Sequence, residues 1–214
     1  MWNVSNDYKT EIAKKSVRYG WYGQITFSDS TTLSFNHQNI DQNKSKITKQ
    51  CVKGENLEVG NVFAGELVLG LRDTENWKIS DKKYDYYDAD IEINFVLYFA
   101  EGGSESVPLG HYKVTDAKRT YHTVELTAYD AIHELETKIP QKLTNNLSAY
   151  DALNALCQIA NVSFAETRAS VEALPNGTET FPTGIYSKGT SCSEIFGNLF
   201  CPMWLTRQRQ TFLM

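Results

Sequence analysis

The sequence predicts an α+β fold that is mainly β: an N-terminal antiparallel β-barrel with a short N-terminal helix over residues 1–140, then a smaller α+β region over 141–214. Three observations predict it. Apolar residues alternate strictly in several runs, as at Ile91, Ile93, Phe95, Leu97 and Phe99, which is the period of a half-buried strand. Turn chemistry separates those runs, as at Ser28-Asp29-Ser30 and Gly102-Gly103. After Pro140 the period lengthens, with Ala149, Ala152, Leu153 and Leu156 falling on one helical face. A chain of 214 residues with 41% hydrophobic and 12% aromatic residues has enough apolar mass for such a core.

Residues 2–15 read as a short helix capped by Ser5 or Asn6, with Tyr8, Ile12 and Ala13 as a narrow apolar stripe. Lys14, Lys15 and Arg18 stand at its C-terminal end, where cations suit the helix dipole. Residues 19–27 and 32–35 then form a hairpin. A polar loop over 37–45 leads to a short strand at 46–52. Gly60 and Gly65 mark a bend before a strand reaching Leu71.

Residues 72–88 form an insertion rich in Lys, Asp and Tyr. Tyr84, Tyr86 and Tyr87 make it a candidate binding surface, because exposed tyrosines offer contact area at low entropic cost; the competing reading is that they edge a strand. The longest predicted strand is 89–99. The passage 109–136 is the most legible: two strands with a polar turn at Asp116–Arg119, then a helix from Asp130 carrying Ala131, Ile132, Leu135 and Ile139. Ser148 with Asp151, and Ser191 with Glu194, have capping-box spacing before two further helices. Residues 168–189 read as loop and 203–212 as one more strand.

The charge balance, 21 basic against 26 acidic residues for a net −5, is spread along the chain without a polybasic arm. Direct nucleic-acid binding is disfavoured on that ground. No run is long and apolar enough to span a bilayer, and the N-terminus lacks the apolar core of a secretory signal, so folding in a cytoplasm is expected. Cys51, Cys157, Cys192 and Cys201 lack C-x-x-C spacing and read as incidental thiols.

His133-Glu134 lacks the second histidine of a zinc-protease helix, and His111 and His122 lie on opposite arms of the predicted hairpin without a third ligand. No nucleophile elbow, P-loop or dinucleotide fingerprint occurs. No catalytic, cofactor-binding or metal-binding residue is assigned, and the chain is expected not to be an enzyme. A carbohydrate-binding β-sandwich, using the tyrosines of 72–88 as a platform, is the alternative reading.

Three groups of passages, taken in order, carry a resemblance. They are Ile47-Thr48-Lys49-Gln50-Cys51 running on through Leu57-Glu58-Val59-Gly60 to Leu67; Tyr87-Asp88-Ala89-Asp90-Ile91 with Val107-Pro108-Leu109-Gly110-His111-Tyr112-Lys113-Val114; and Thr123-Val124-Glu125-Leu126-Thr127-Ala128-Tyr129-Asp130-Ala131. Together they resemble the N-terminal hub region of bacteriophage and prophage tail-tip proteins, the tail-associated lysin or prophage tail endopeptidase family. The resemblance implies a virion structural protein: a trimeric, baseplate-like hub at the tail tip, assembled in the host cytoplasm and joining the tail tube and distal tail protein. A trimer with two barrel-like domains per chain can match a hexameric tube. In that family lytic activity belongs to downstream modules. Its members run beyond 214 residues, so the 141–214 domain is expected to be incomplete relative to them.

Overall fold

A computed structural model describes residues 4–49, 63–74 and 78–199. The chain divides into two compact units. The first holds the described residues of 4–48 and 65–130, and the second those of 49, 63–64 and 131–199. The expected strand at 203–212, Gly60, Cys51 and Cys201 lie outside the described residues.

The first unit begins with a helix, Asn6–Ile12 (α1), followed by strands Arg18–Thr26 (β1), Thr32–Asn36 (β2), Lys46–Thr48 (β3), Glu66–Arg72 (β4), Asp90–Tyr98 (β5), Ser104–Thr120 (β6) and Thr123–Tyr129 (β7). The strands make one seven-stranded sheet, ordered β2-β1-β5-β6-β7-β4-β3, and every pairing is antiparallel. Local chemistry sets the turns. The Asp29 carboxylate accepts the Thr31 N–H at 2.9 Å, leaving Ser30 in the left-handed region at φ 66°. Between β5 and β6, Gly102 and Gly103 take φ 99° and 90°, values open to glycine and costly for other residues.

Inward-facing residues of the sheet build one apolar cluster, including Ile25, Leu69, Ile91, Ile93, Val114 and Leu126. Each such side chain contributes about 1.5–3 kcal/mol by leaving water. Among the glycines of the sheet, Gly23 permits the tightest approach. A β-carbon there would stand 2.6 Å from the Phe35 ring and 2.1 Å from the Glu92 carbonyl oxygen.

The expectation of a closed barrel is corrected. β2 and β3 form no ladder, so the sheet is open between them. It is nonetheless rolled. Five inter-strand steps separate β2 from β4 along the ladder, which in a flat sheet is roughly 24 Å. Yet the Ile40 N–H donates to the carbonyl of Asn36, the last residue of β2, at 3.2 Å, while Ile40 also bridges to Leu71 of β4. Asp41 N–H to Gly70 O and Arg72 N–H to Asn39 O, both 2.8 Å, flank that bridge. The polar turns between residues 36 and 45 limit this seam to one bridge, and β3 is only three residues long.

Three further expectations change. The polar stretch Asp116–Arg119 is not a turn but the last part of the 17-residue β6, and the chain reverses at Tyr121 and His122. The apolar stripe of α1 is not its buried side: Glu11 is buried while Ile12 and Ala13 are exposed. No α-helix starts at Asp130; only a 3-10 turn, His133–Glu136, forms there. Two causes oppose the helix. The Asp130 carboxylate is taken by the Gly65 N–H at 2.9 Å, and Pro140 pushes Ile139 toward extended backbone. Ile139 instead donates its N–H to Thr190 O at 2.9 Å, and Cys192 donates to Thr137 O at 2.9 Å.

In the second unit the capping signals hold. Ala149–Ile159 (α2) starts at Ser148, whose hydroxyl accepts the Asp151 N–H at 3.2 Å and donates to the Asp151 carboxylate at 2.6 Å. Ser191 accepts the Glu194 N–H at 3.2 Å at the start of a helix over 192–199. The region 168–189 is more ordered than expected, with a short helix Arg168–Glu172 (α3) and a strand pair between Leu147–Ser148 (β8) and Thr180–Phe181 (β9). Arg168 explains part of this: its guanidinium binds Asp151 at 2.5 Å and lies 4.6 Å from the Tyr150 ring centroid, tying α3 to α2.

Candidate interaction surface

The three tyrosines singled out by sequence do not share a surface. Tyr86 is 1% exposed, inside the core of the first unit, and its hydroxyl donates to the Ile79 carbonyl at 2.8 Å. Tyr84 is half-buried and stacks on Phe27 at 5.4 Å, with Tyr86 tilted against the same ring at 5.4 Å. Tyr87 alone of the three is exposed, at 65%. The three therefore form an aromatic plug with one outward tyrosine and not one continuous exposed face.

The plug is held by polar bonds at its entrance. The buried Asp73 carboxylate accepts the Ser80 N–H at 2.9 Å and the Ser80 hydroxyl at 2.7 Å, with His122 Nδ1 at 3.7 Å. Burial pulls the Asp73 carboxyl upward, but the two Ser80 bonds, the Lys78 charge and His122 take it net below the usual range. Arg119 donates to the Tyr84 carbonyl, with its guanidinium carbon 5.4 Å from the Tyr86 ring centroid. Burial pushes the Tyr86 phenol far above its ordinary value.

A different part of the sheet carries the open aromatic surface. Tyr19, 63% exposed, stacks on Phe95 of the neighbouring strand at 5.5 Å. Arg18 lies 5.7 Å from the Tyr98 ring centroid, and His37 covers Gly20, where a β-carbon would meet it at 3.4 Å. Two shallow depressions meet here. One, of about 400 Å³, is lined by Val17, Arg18, Tyr19, His37 and Tyr98. The other, of about 380 Å³, includes Tyr19, Trp21, His37 and Asn43.

Beside them the outer face of β2, β1 and β5 presents a cross-strand grid. Asn36, Tyr22 and Asn94 stand in one row, and Ser34, Gln24 and Glu92 in the next, around a depression of about 390 Å³. Amides and hydroxyls that present both donors and acceptors suit a broad contact more than a buried ligand. The signal was present in the run Tyr19-Gly20-Trp21-Tyr22, where aromatics fall on both faces of one strand.

The histidines of the first unit stay apart. His111 pairs across the sheet with Glu92, His122 sits beside Asp73, and His37 lies over Gly20. Among the described residues no three metal-ligating side chains cluster. Cys157 and Cys192 are buried free thiols in the second unit, and burial raises both. Among the described residues no helix is long and apolar enough to cross a membrane.

No family model matches the chain, and no curated protein matches it in sequence. Several solved structures are similar, three of them as follows. A chain of the virion of a native gene transfer agent particle gives a TM-score of 0.41 at 9% identity over 65% of this chain and 51% of that one. Prophage tail protein gp18 from Listeria monocytogenes EGD-e gives 0.47 at 8% identity over 83% and 44%. A chain of the lidded Francisella PdpA-VgrG complex gives 0.44 at 11% identity over 81% and 24%. The chain thus spans about half or less of the length of each of these proteins, and likenesses this loose carry no functional argument.

Proposed function

We propose that this chain is a structural protein of a bacteriophage or prophage tail, a hub component at the tail tip that joins the tail tube and distal tail protein, and that it transforms no substrate. The observation that carries the reading is where the family-like passages fall. Residues 47–48 lie in β3, 66–67 in β4, 90–91 in β5, 107–114 in β6 and 123–129 in β7. These are consecutive neighbours in the sheet, β5-β6-β7-β4-β3, so passages scattered over more than eighty residues converge on one continuous structure.

The surface chemistry is compatible with that role. An exposed tyrosine, half-buried aromatics and an amide-rich grid offer wide, shallow contact, the kind that abuts another subunit. Assembly as a trimer and a domain boundary near residue 140 are parts of the same proposal. Its test is immunogold labelling of particles from the cell that encodes the chain, with an antibody raised against it. Label confined to the tail tip is the expected result. Label on the capsid, or particles without label while the chain is abundant in the lysate, overturns the proposal.

A further inference from the structure

We propose that the hollow around Gly20 is a docking site for an acidic side chain of a partner protein, with the Arg18 guanidinium as its anchor. The proposal gives the partner's chemistry at the aromatic surface of Tyr19 and rests on the reading of this chain as an assembly component.

Arg18 stands apart from the other arginines of the described residues. Arg72 donates to the Gln38 carbonyl at 3.1 Å, Arg119 to the Tyr84 carbonyl, and Arg168 to the Asp151 carboxylate at 2.5 Å. Arg18 forms no hydrogen bond or ion pair among the described residues. It is held in place all the same. Its register partner across β1 and β5 is Tyr98, and its guanidinium carbon lies 5.7 Å from that ring's centroid, within cation–π reach. The N–H donors are left without a protein acceptor, in the planar fork that takes a carboxylate through parallel bonds.

Gly20 supplies the room. It is the next residue on the same face of β1, and its lack of a side chain leaves a floor between Arg18 and His37. His37 is exposed and makes no hydrogen bond among the described residues, so its ring nitrogens also face the hollow unpaired. The adjoining depression, which shares Tyr19 and His37, adds Trp21 and Asn43. An aromatic face and an amide there suit the chain that carries the acid.

Charge selects an acid as the occupant. On this face the cross-strand rows Arg18–Tyr98–Ser104 and Gly20–Val96–Ser106 carry no carboxylate. The first along β5 is Glu92, six residues from Tyr98 and therefore roughly 20 Å away. Of the other acids at this end of the sheet, Glu105 accepts the Ser5 N–H at 2.9 Å and Glu11 takes Lys14 Nζ at 2.7 Å. Glu101, in the β5–β6 turn, forms no ion pair with Arg18. The neighbouring Lys15 is exposed and adds a second positive charge to the approach.

Nuclear magnetic resonance of the purified whole chain, titrated with hexaglutamate, tests the site; hexaglutamine, inorganic phosphate and an oligothymidylate are the comparison probes. The chain carries a net −5, so an acidic peptide has no general attraction to it. The expected result is saturable shifts of the Gly20 and His37 amides and the Arg18 side-chain N–H with hexaglutamate, and none with hexaglutamine. In Arg18→Gln the affinity should fall by about five-fold or more, the scale of one exposed guanidinium–carboxylate pair. Unshifted Ile25 and Leu69 signals report that the sheet of that variant is folded. Lys46→Gln, which removes a cation from β3 at the far edge of the sheet, should leave the affinity unchanged.

No saturable shift at Gly20 and His37, equal affinity in Arg18→Gln, or equal weakening in Lys46→Gln overturns the proposal. Phosphate or oligothymidylate shifting the same signals as strongly also overturns it, because the site would then take anions at large. The titration needs no particle: its failure leaves the tail reading standing, and a tail tip without label leaves the titration standing.

Discussion

Gly65 and Asp130, sixty-five positions apart, bind each other twice. The Gly65 N–H donates to the Asp130 carboxylate at 2.9 Å, and the Asp130 N–H donates to the Gly65 carbonyl at 3.0 Å. The pair closes the end of the β4–β7 ladder, one step past Glu66 and Tyr129. Asp130→Ala leaves the Gly65 N–H without its partner and should cost about 1–3 kcal/mol in urea unfolding. Asp130→Asn, which keeps an oxygen acceptor, should cost less. Equal stability of all three proteins would contradict a clasp at this point.

Tyr86 separates packing from hydrogen bonding. Tyr86→Phe removes only the bond to Ile79 O and is expected to cost about 1 kcal/mol, whereas Tyr86→Ala empties the plug and should cost about 3–5 kcal/mol. Chemical denaturation of both variants measures the difference. A Tyr86→Ala protein as stable as the parent would place this ring outside the core.

The same phenol gives an alkaline limit. Its pKa is raised in the fold, so the native state holds the proton more tightly than the unfolded chain does. Its contribution is fully present below the ordinary tyrosine value, near pH 10, and is lost as pH rises from there toward the raised value. Thermal melts from pH 8 to 11 should show Tm falling in the parent and falling less in Tyr86→Phe. Parallel slopes would exclude Tyr86 as the source.

Asp73 acts at the other end of the scale. Its carboxyl is lowered in the fold, so its contribution is present above the ordinary aspartate value and is lost as pH falls through the lowered one. Asp73→Asn should therefore flatten the acid side of the stability profile below about pH 4. An unchanged acid limb would show that the Ser80 contacts do not discriminate between the two forms of the carboxyl.

Strands with one dry face were legible because alternation survives any tertiary detail: β1, β2, β5 and β7 stand where the period placed them. Cap serines were legible for a similar reason, since Ser148 and Ser191 act on residues three positions away. Asp130 shows the limit. Its local context reads as a helix start, yet a partner at Gly65 competes for the carboxylate, and nothing within the window 124–136 reveals it. Tyr86 fails differently. Composition shows a tyrosine-rich insertion but not that the sheet rolls and leaves a hollow next to Phe27 for the ring to fill. Tyr19 does not stand out in the sequence, because periodicity assigns a residue to a face without saying whether anything covers it.

Ser148 provides a control in the second unit. Ser148→Ala removes the acceptor for the Asp151 N–H and should destabilise this unit by about 1 kcal/mol. If the two units unfold in separate transitions, only one should shift in calorimetry.

The central claim, that this chain is a building block of a tail tip, is tested most directly by cryo-electron microscopy of particles from the cell that encodes it. The account expects tip density into which the seven-stranded sheet fits as a rigid body, repeated three times about the tail axis, with the Tyr19 surface against a neighbouring protein. A tip fully accounted for by other proteins, with this chain recovered only in the particle-free fraction, would contradict it.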